Sequence, residues 1–376
     1  MKRPSLLIIA DSETDADLRF ALGLSASGRT VFLKTGSRSI ALLPDGDVAR
    51  ARMESQVGRV DSISKYLRRA ERTGISDPGP AQVAFLLCKE YGVRKISVPH
   101  LFPAGFVKQL QKLGIRVKVR DGHFFREREF KTPVEVRKVV AAVGMAEVGL
   151  SEGLHALRRS KIGPRRQLIL HGVPITCEKL RTIIDTGVMQ AGGLPQHTVV
   201  KAGPQTCDPE GPGTGPLLAQ SPILIDIRTR SARTGYHGRL ARTVTRGHAP
   251  EALRQQYETV RQAHEITLGA LRPGRSARGL HETLRRFFYS EGFRTRISGS
   301  RPTGFLHETG CGIGLESTEA PSLHSTSEDI LQPGHVVTLH PGLYYPEIGG
   351  VRLGDVIRVT EGAAENLTQF EKVLEI

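Results

Sequence analysis

The sequence predicts two domains: an α/β domain of about 120 residues, then a larger domain of helices and strands. Three observations carry this. The chain has 376 residues, long for one ordinary domain and enough for two cores. Short β-rich runs alternate with helical patterns as far as residue 119. A charged segment at 123–131 then leads into a clear helix start, which gives domains 1–125 and 126–376.

In order along the chain, SLLIIA at 5–10 is an apolar, β-branched run closed by Asp11 and Ser12, a first strand. Residues 30–34 and 39–43 read as two more strands around Gly36 and Ser37. Residues 81–91 carry Val83, Leu86 and Leu87 at helical spacing, with Gly92 as the stop. Strand 95–98, helix 106–113 ending at Gly114, and strand 116–119 complete the alternation. Thr132-Pro133-Val134-Glu135 is a capping box with proline at the first helical position: the hydroxyl takes one free N–H and Glu135 reaches back to another. Val136, Val139, Val140 and Val143 carry that helix to about residue 159. Residues 177–186 form a second helix, with Gly187 as its expected stop, and the Gly/Pro-rich stretch 203–216 is irregular. PILIDIR at 222–228 is a strand and 239–245 its hairpin partner. Residues 250–271 and 276–290 are helices, the second closed by Gly292, and 335–339 and 356–359 are strands.

Composition excludes several classes. Hydrophobic residues at 39% and charged residues at 24% describe a globular protein. No run approaches the roughly 18 apolar residues of a membrane span, and the apolar stretch in MKRPSLLIIADSE is too short for a signal peptide. Cys88, Cys177, Cys207 and Cys311 fit neither a zinc module nor a disulfide framework, so a cytoplasmic protein with reduced thiols is expected. The net charge of +15 favours anionic partners. The basic residues are dispersed, however, and 5% aromatics offer little for base stacking, so a solvated basic surface is preferred over nucleic-acid binding.

The chemistry concentrates between Gly304 and Asp355, in GFLHETGCGIGLESTEAPSL and GHVVTLHPGLYYPEIGGVRLGD. Gly310, Gly312, Gly314, Pro341, Gly342 and Gly350 read as tight turns that bring titratable side chains together. These two phrases resemble the pita-bread family of methionine aminopeptidase, Xaa-Pro aminopeptidase, prolidase and creatinase, and lie closest to the Xaa-Pro aminopeptidase-like members. Their usual forms there are HGTGHGIGLE-hHE-P and VhTVEPGhY…GhRhED. SETDADLRF near the start is similar to the amino-terminal domain of prolidase and creatinase relatives. The resemblance implies an α/β domain followed by an α+β pita-bread domain, and a homodimer.

In that family's peptidases two Asp, one His and two Glu hold a pair of divalent ions whose water attacks the substrate. The resemblance puts these ligand positions at Asp226, Arg239, Cys311, His340 and Gly354. Only Asp226 keeps the family's residue type. Of the positions that assist substrate binding, one holds Glu210 and another Thr318, while His307, Glu319, Tyr236, Tyr344 and Arg352 stay as the family has them. The expectation is therefore a metal-free homologue without aminopeptidase activity. It would bind a small or peptide-like ligand in the old cleft through Asp226, Arg239, Tyr236, Glu210, Tyr344 and Arg352, and need no cofactor.

Alternatives stay open. Cys311, His340, His307 or Glu319 could serve a creatinase-like, metal-free C–N hydrolase. Cys311 beside His340 could form a thiolate–imidazolium pair, or simply fill the volume of a lost ligand. Asp226, Cys311 and His340 could hold one zinc ion. A basic interaction module is the remaining possibility. Asp226, left alone in such a cleft, needs a cation, and Arg239 on the partner strand is placed to supply one through two N–H donors.

Overall fold

The computed structural model describes residues 4–376 except 121, 123, 209–210 and 298–300. The chain divides into two compact units, Met1–Arg128 and Glu129–Ile376.

The first unit is built on a six-stranded mixed sheet. Its elements are β1 Ser5–Asp11, α1 Ala16–Leu22, β2 Arg29–Thr35, β3 Arg38–Leu43, α2 Asp45–Glu54, β4 Arg59–Ser62, α3 Ile63–Glu71, α4 Pro80–Glu90, β5 Lys95–Val98, α5 Ala104–Lys112 and β6 Arg116–Val119. The strand order is β4-β3-β2-β1-β5-β6, with β1–β2 and β2–β3 antiparallel and the other pairs parallel. The alternation of β1 supplies two cores. Leu7 and Ile9 pack on one face with Ala84 and Leu87 of α4, while Ile8 packs on the other with Leu18, Leu22 and Phe125.

The second unit opens with α6, Pro133–Arg159. Its capping box forms as expected: Glu135 N donates to Thr132 Oγ1, and Thr132 N donates to Glu135 Oε2 at 2.9 Å. A small sheet follows (β7 Lys161–Ile162, β8 Leu168–Leu170, β9 Val173–Pro174), then α7, Cys177–Gln190. The expected stop at Gly187 is wrong, and α7 runs through it. A Cβ at Gly187 would lie 3.1 Å from Gly149 Cα, so the glycine lets α7 cross closely over α6.

Strands β10 Gly193–Ala202, β11 Ile223–Ser231 and β12 His237–Val244 form an antiparallel sheet in that order. Ile223, Ile225 and Ile227 face α6 and α7 in a shared core, and Asp226 faces the opposite side. Helices α8 Glu251–Ala270 and α9 Ala277–Ser290 precede the remaining strands. Of these, β13 Gly310–Gly312, β14 Glu319–Leu323, β15 Val336–Leu339, β18 Asp355–Arg358 and β19 Glu365–Asn366 make a five-stranded sheet. β16 Gly342–Tyr345 and β17 Gly349–Arg352 pair separately. Ala241 and Gly354 bridge β12 to the start of β18 through N–H···O bonds of 3.1 and 2.8 Å.

The glycines of the two phrases are not mainly turns. Gly310, Gly312, Gly342 and Gly350 lie in strands, none with positive φ. A Cβ at Gly310 would fall 1.8 Å from Thr338 O, and one at Gly312 2.1 Å from Ala320 O. They are small because neighbouring backbone sits against them.

Candidate functional site

The site is built around Asp226, on the face of β11 turned away from α6 and α7. Arg239 of β12 meets it through two bonds: Nε donates to Oδ1 at 3.1 Å and Nη2 to Oδ2 at 2.7 Å. Both side chains are buried. Arg352 of β17 adds Nη1 to Oδ2 at 2.9 Å. Burial alone would raise the pKa of Asp226, but Arg239 and then Arg352 outweigh it and hold the carboxyl well below its ordinary range. Asp226 is a carboxylate whose two oxygens are shared between two guanidinium groups.

A polar chain leads on from Arg352. Its Nε donates to the Tyr344 hydroxyl at 2.7 Å, which lies 2.8 Å from His307 Nε2. His307 Nδ1 faces the Glu308 carbonyl at 2.7 Å. A carbonyl only accepts, so Nδ1 carries the proton and Nε2 accepts from Tyr344. Burial, with Arg352, keeps His307 neutral. His340 stacks on His307 with centroids 5.6 Å apart, and burial, with Arg239, keeps it neutral too. Glu308 Oε1 stands 3.9 Å from His340 Nε2.

The structure therefore gathers Asp226, Arg239, Arg352, Tyr344, His307 and His340. Other expected residues are engaged elsewhere. Tyr236 donates to Glu135 Oε1 at 2.7 Å, tying β12 to the first turn of α6. Glu319 pairs with Lys131 at 2.9 Å, both side chains nearly inaccessible, and it also accepts from Glu316 N. Glu210 lies outside the described residues.

Cys311 and His340 do not form an ion pair. The thiol is buried, with the hydroxyl of Thr338 3.4 Å from Sγ. Burial pushes the thiol pKa up while it pushes the His340 pKa down, so both groups are neutral. Among the described residues no three His, Cys, Asp or Glu side chains come together as a cation site, the expected set of Asp226, Cys311 and His340 included. Gly354 leaves no space for a ligating side chain, since its Cβ would lie 2.8 Å from Ala241 Cβ.

Two contributors went unread. Glu308 is one. Arg228 is the other, and its position, two residues beyond Asp226 on the same strand, was the available signal.

Paired helices laid over antiparallel sheets, with a buried polar cluster on the sheet face turned away from α6 and α7, define a pita-bread domain of the aminopeptidase type. The chain belongs to metallopeptidase family M24, whose model matches residues 138–361. It is 29% identical over 177 residues to the Xaa-Pro dipeptidase of Pyrococcus furiosus, covering 47% of this chain and 48% of that protein. It is 28% identical over 250 residues to the Xaa-Pro dipeptidase of Lactobacillus delbrueckii subsp. lactis, covering 66% and 62%. The matches thus span about half to just under two thirds of these relatives' lengths. The X-Pro aminopeptidase structure from Thermotoga maritima MSB8 shares the fold, with a TM-score of 0.81 at 16% identity over 99% of this chain and 97% of that one. Among the described residues no helix is long and apolar enough to cross a membrane.

Proposed function

We propose that this chain is a metal-free member of family M24 that binds a small or peptide-like ligand in the Asp226 cleft and does not cleave Xaa-Pro substrates by a metal-dependent route. The observation that carries the reading is the engagement of Asp226 by Arg239 and Arg352 at 2.7–3.1 Å. A pair of dications needs several anionic ligands. This donor set offers one carboxylate, already neutralised, with a permanent cation where a second would stand. The absence of space for a Cβ at Gly354 supports the same conclusion.

The test is an assay of Xaa-Pro dipeptides and longer peptides with added manganese, cobalt or zinc. No metal-dependent release of the amino-terminal residue is expected. Release at rates typical of enzymes, on the order of 1 per second or faster, overturns the reading.

A second reading, a creatinase-like metal-free hydrolase, draws on one observation: His340 is buried and neutral, and its Nδ1 has no hydrogen-bond partner among the described residues. Such a nitrogen can take a proton from a bound nucleophile. Turnover of a C–N substrate that survives chelation and is lost in His340→Gln would favour it over simple binding.

A further inference from the structure

Arg228 follows Asp226 by two residues on β11, so both side chains leave the sheet on the same side. In the antiparallel register Arg228 stands directly opposite Arg239, with His197 of β10 opposite it on the other flank. Like charges directly opposed across paired strands destabilise a sheet. Arg239 is relieved by Asp226, and Arg352 takes a share of the same carboxylate. Arg228 gets neither: among the described residues its half-buried guanidinium has no ion-pair or hydrogen-bond partner. The Arg239 charge, and then burial, lower the pKa of Arg228 by more than the nearby Asp226 charge raises it, as expected of a cation held close to another and without a direct ion-pair partner.

The charges around Asp226 do not balance. Arg228, Arg239 and Arg352 all act on Asp226, and Glu308 acts on Arg239, so within this set the cations outnumber the carboxylates. The two histidines in the cluster are neutral. A single anionic group completes the set, and a planar monoanion matches the fork of a guanidinium.

We propose that Arg228 anchors a carboxylate-binding subsite in the Asp226 cleft, which takes the carboxylate of the small or peptide-like ligand. This rests on the reading of the cleft as a metal-free ligand site. His340 Nδ1, itself buried, is a further polar atom without a hydrogen-bond partner among the described residues.

The experiment is calorimetric titration of the full chain at constant ionic strength, comparing wild type with Arg228→Gln and Arg228→Lys. The probes are propionate, alanyl-alanine and alanyl-alanine amide. Propionate should bind wild type saturably, and Arg228→Gln should weaken it about tenfold or more, with partial recovery in Arg228→Lys. Wild type should prefer the dipeptide acid to its amide by a similar factor, and Arg228→Gln should lose that preference. Without any ligand, Arg228→Gln should melt no lower than wild type, because removing the unpaired cation relieves its repulsion with Arg239. Propionate that fails to bind wild type, or binds Arg228→Gln equally well, overturns the proposal. Equal binding of acid and amide overturns it while leaving the cleft a peptide-like ligand site. Arg228-dependent propionate binding with neither dipeptide bound keeps the subsite and removes the peptide-like ligand.

Discussion

Arg239 and Asp226 are joined by two parallel hydrogen bonds, Nε to Oδ1 at 3.1 Å and Nη2 to Oδ2 at 2.7 Å, with both side chains buried. Two residues from adjacent strands thus satisfy each other at positions that the family resemblance assigns to metal ligands. Cutting one partner leaves a buried charge exposed to the other's absence, which costs more than removing both.

Arg239→Met should therefore destabilise the protein by about 3–5 kcal/mol, toward the lower end because Arg352 keeps one oxygen of Asp226. The double variant Asp226→Leu/Arg239→Met should cost clearly less. Urea denaturation of the two singles and the double closes the cycle. An Arg239→Met no worse than the double would show that the pair does not act as a unit.

Cys311 should be inert. Its thiol is fully buried and its pKa is raised by that burial, so little thiolate exists at neutral pH. Iodoacetamide at pH 7.5 should leave Cys311 unmodified in the folded chain and label it in denaturant. Rapid labelling of the native protein, abolished by His340→Ala, would restore the ion-pair reading.

Much of the fold was legible because it follows from local rules. The capping box at Thr132 and Glu135 fixes the start of α6, and the β-branched run around Asp226 fixes β11. Helices α1 to α3 were not read. Only Asp47 and Ala51 of α2 are buried, so α2 carries no apolar stripe to find, and α1 is seven residues long. β10 was missed because Pro195 and a register shift between Pro195 and His197 break its alternation. In the site, Arg239 could be placed from its strand phrase. The second guanidinium on Asp226 comes from β17, more than a hundred residues away in sequence, and no local pattern announces a contact of that range. The glycines misled for a related reason: φ-driven turns and close backbone approach both select glycine, and only the packing tells them apart.

That packing gives a graded prediction. Gly310→Ala puts a Cβ within 1.8 Å of Thr338 O, whereas Gly144→Ala in α6 meets nothing within 4 Å. The first should cost at least the roughly 1–3 kcal/mol of an overpacked core or prevent folding. The second should stabilise by up to about 1 kcal/mol. Urea midpoints, with expression yield for Gly310→Ala, check both, and a well-folded Gly310→Ala of unchanged midpoint would contradict the strand contacts described.

Acid should act in two stages. Burial, then the Lys131 charge, lower the pKa of His335 to about 4. The unfolded chain takes up that proton near pH 6.5 and the folded one does not. Stability is therefore lost as pH falls from about 6.5 toward 4. For Asp355, burial opposes ionisation, but Arg242, 2.9 Å away, leads the groups that hold the carboxyl below its ordinary range. That contribution is present above about pH 4 and is lost as the pH falls further. The urea midpoint should decline across both ranges, and His335→Gln should make the first decline shallower without abolishing it, because His307 and His340 are also buried and neutral. A midpoint constant from pH 7 to 4 would contradict the assignment.

The central claim is that arginine stands where dications would be held, and metal content tests it most directly. The purified chain is equilibrated with manganese or zinc chloride, passed through a desalting column, and analysed by inductively coupled plasma mass spectrometry. The account predicts well under one equivalent of either metal per chain, unchanged in Asp226→Asn. Close to two equivalents per chain, falling in Asp226→Asn, would contradict it.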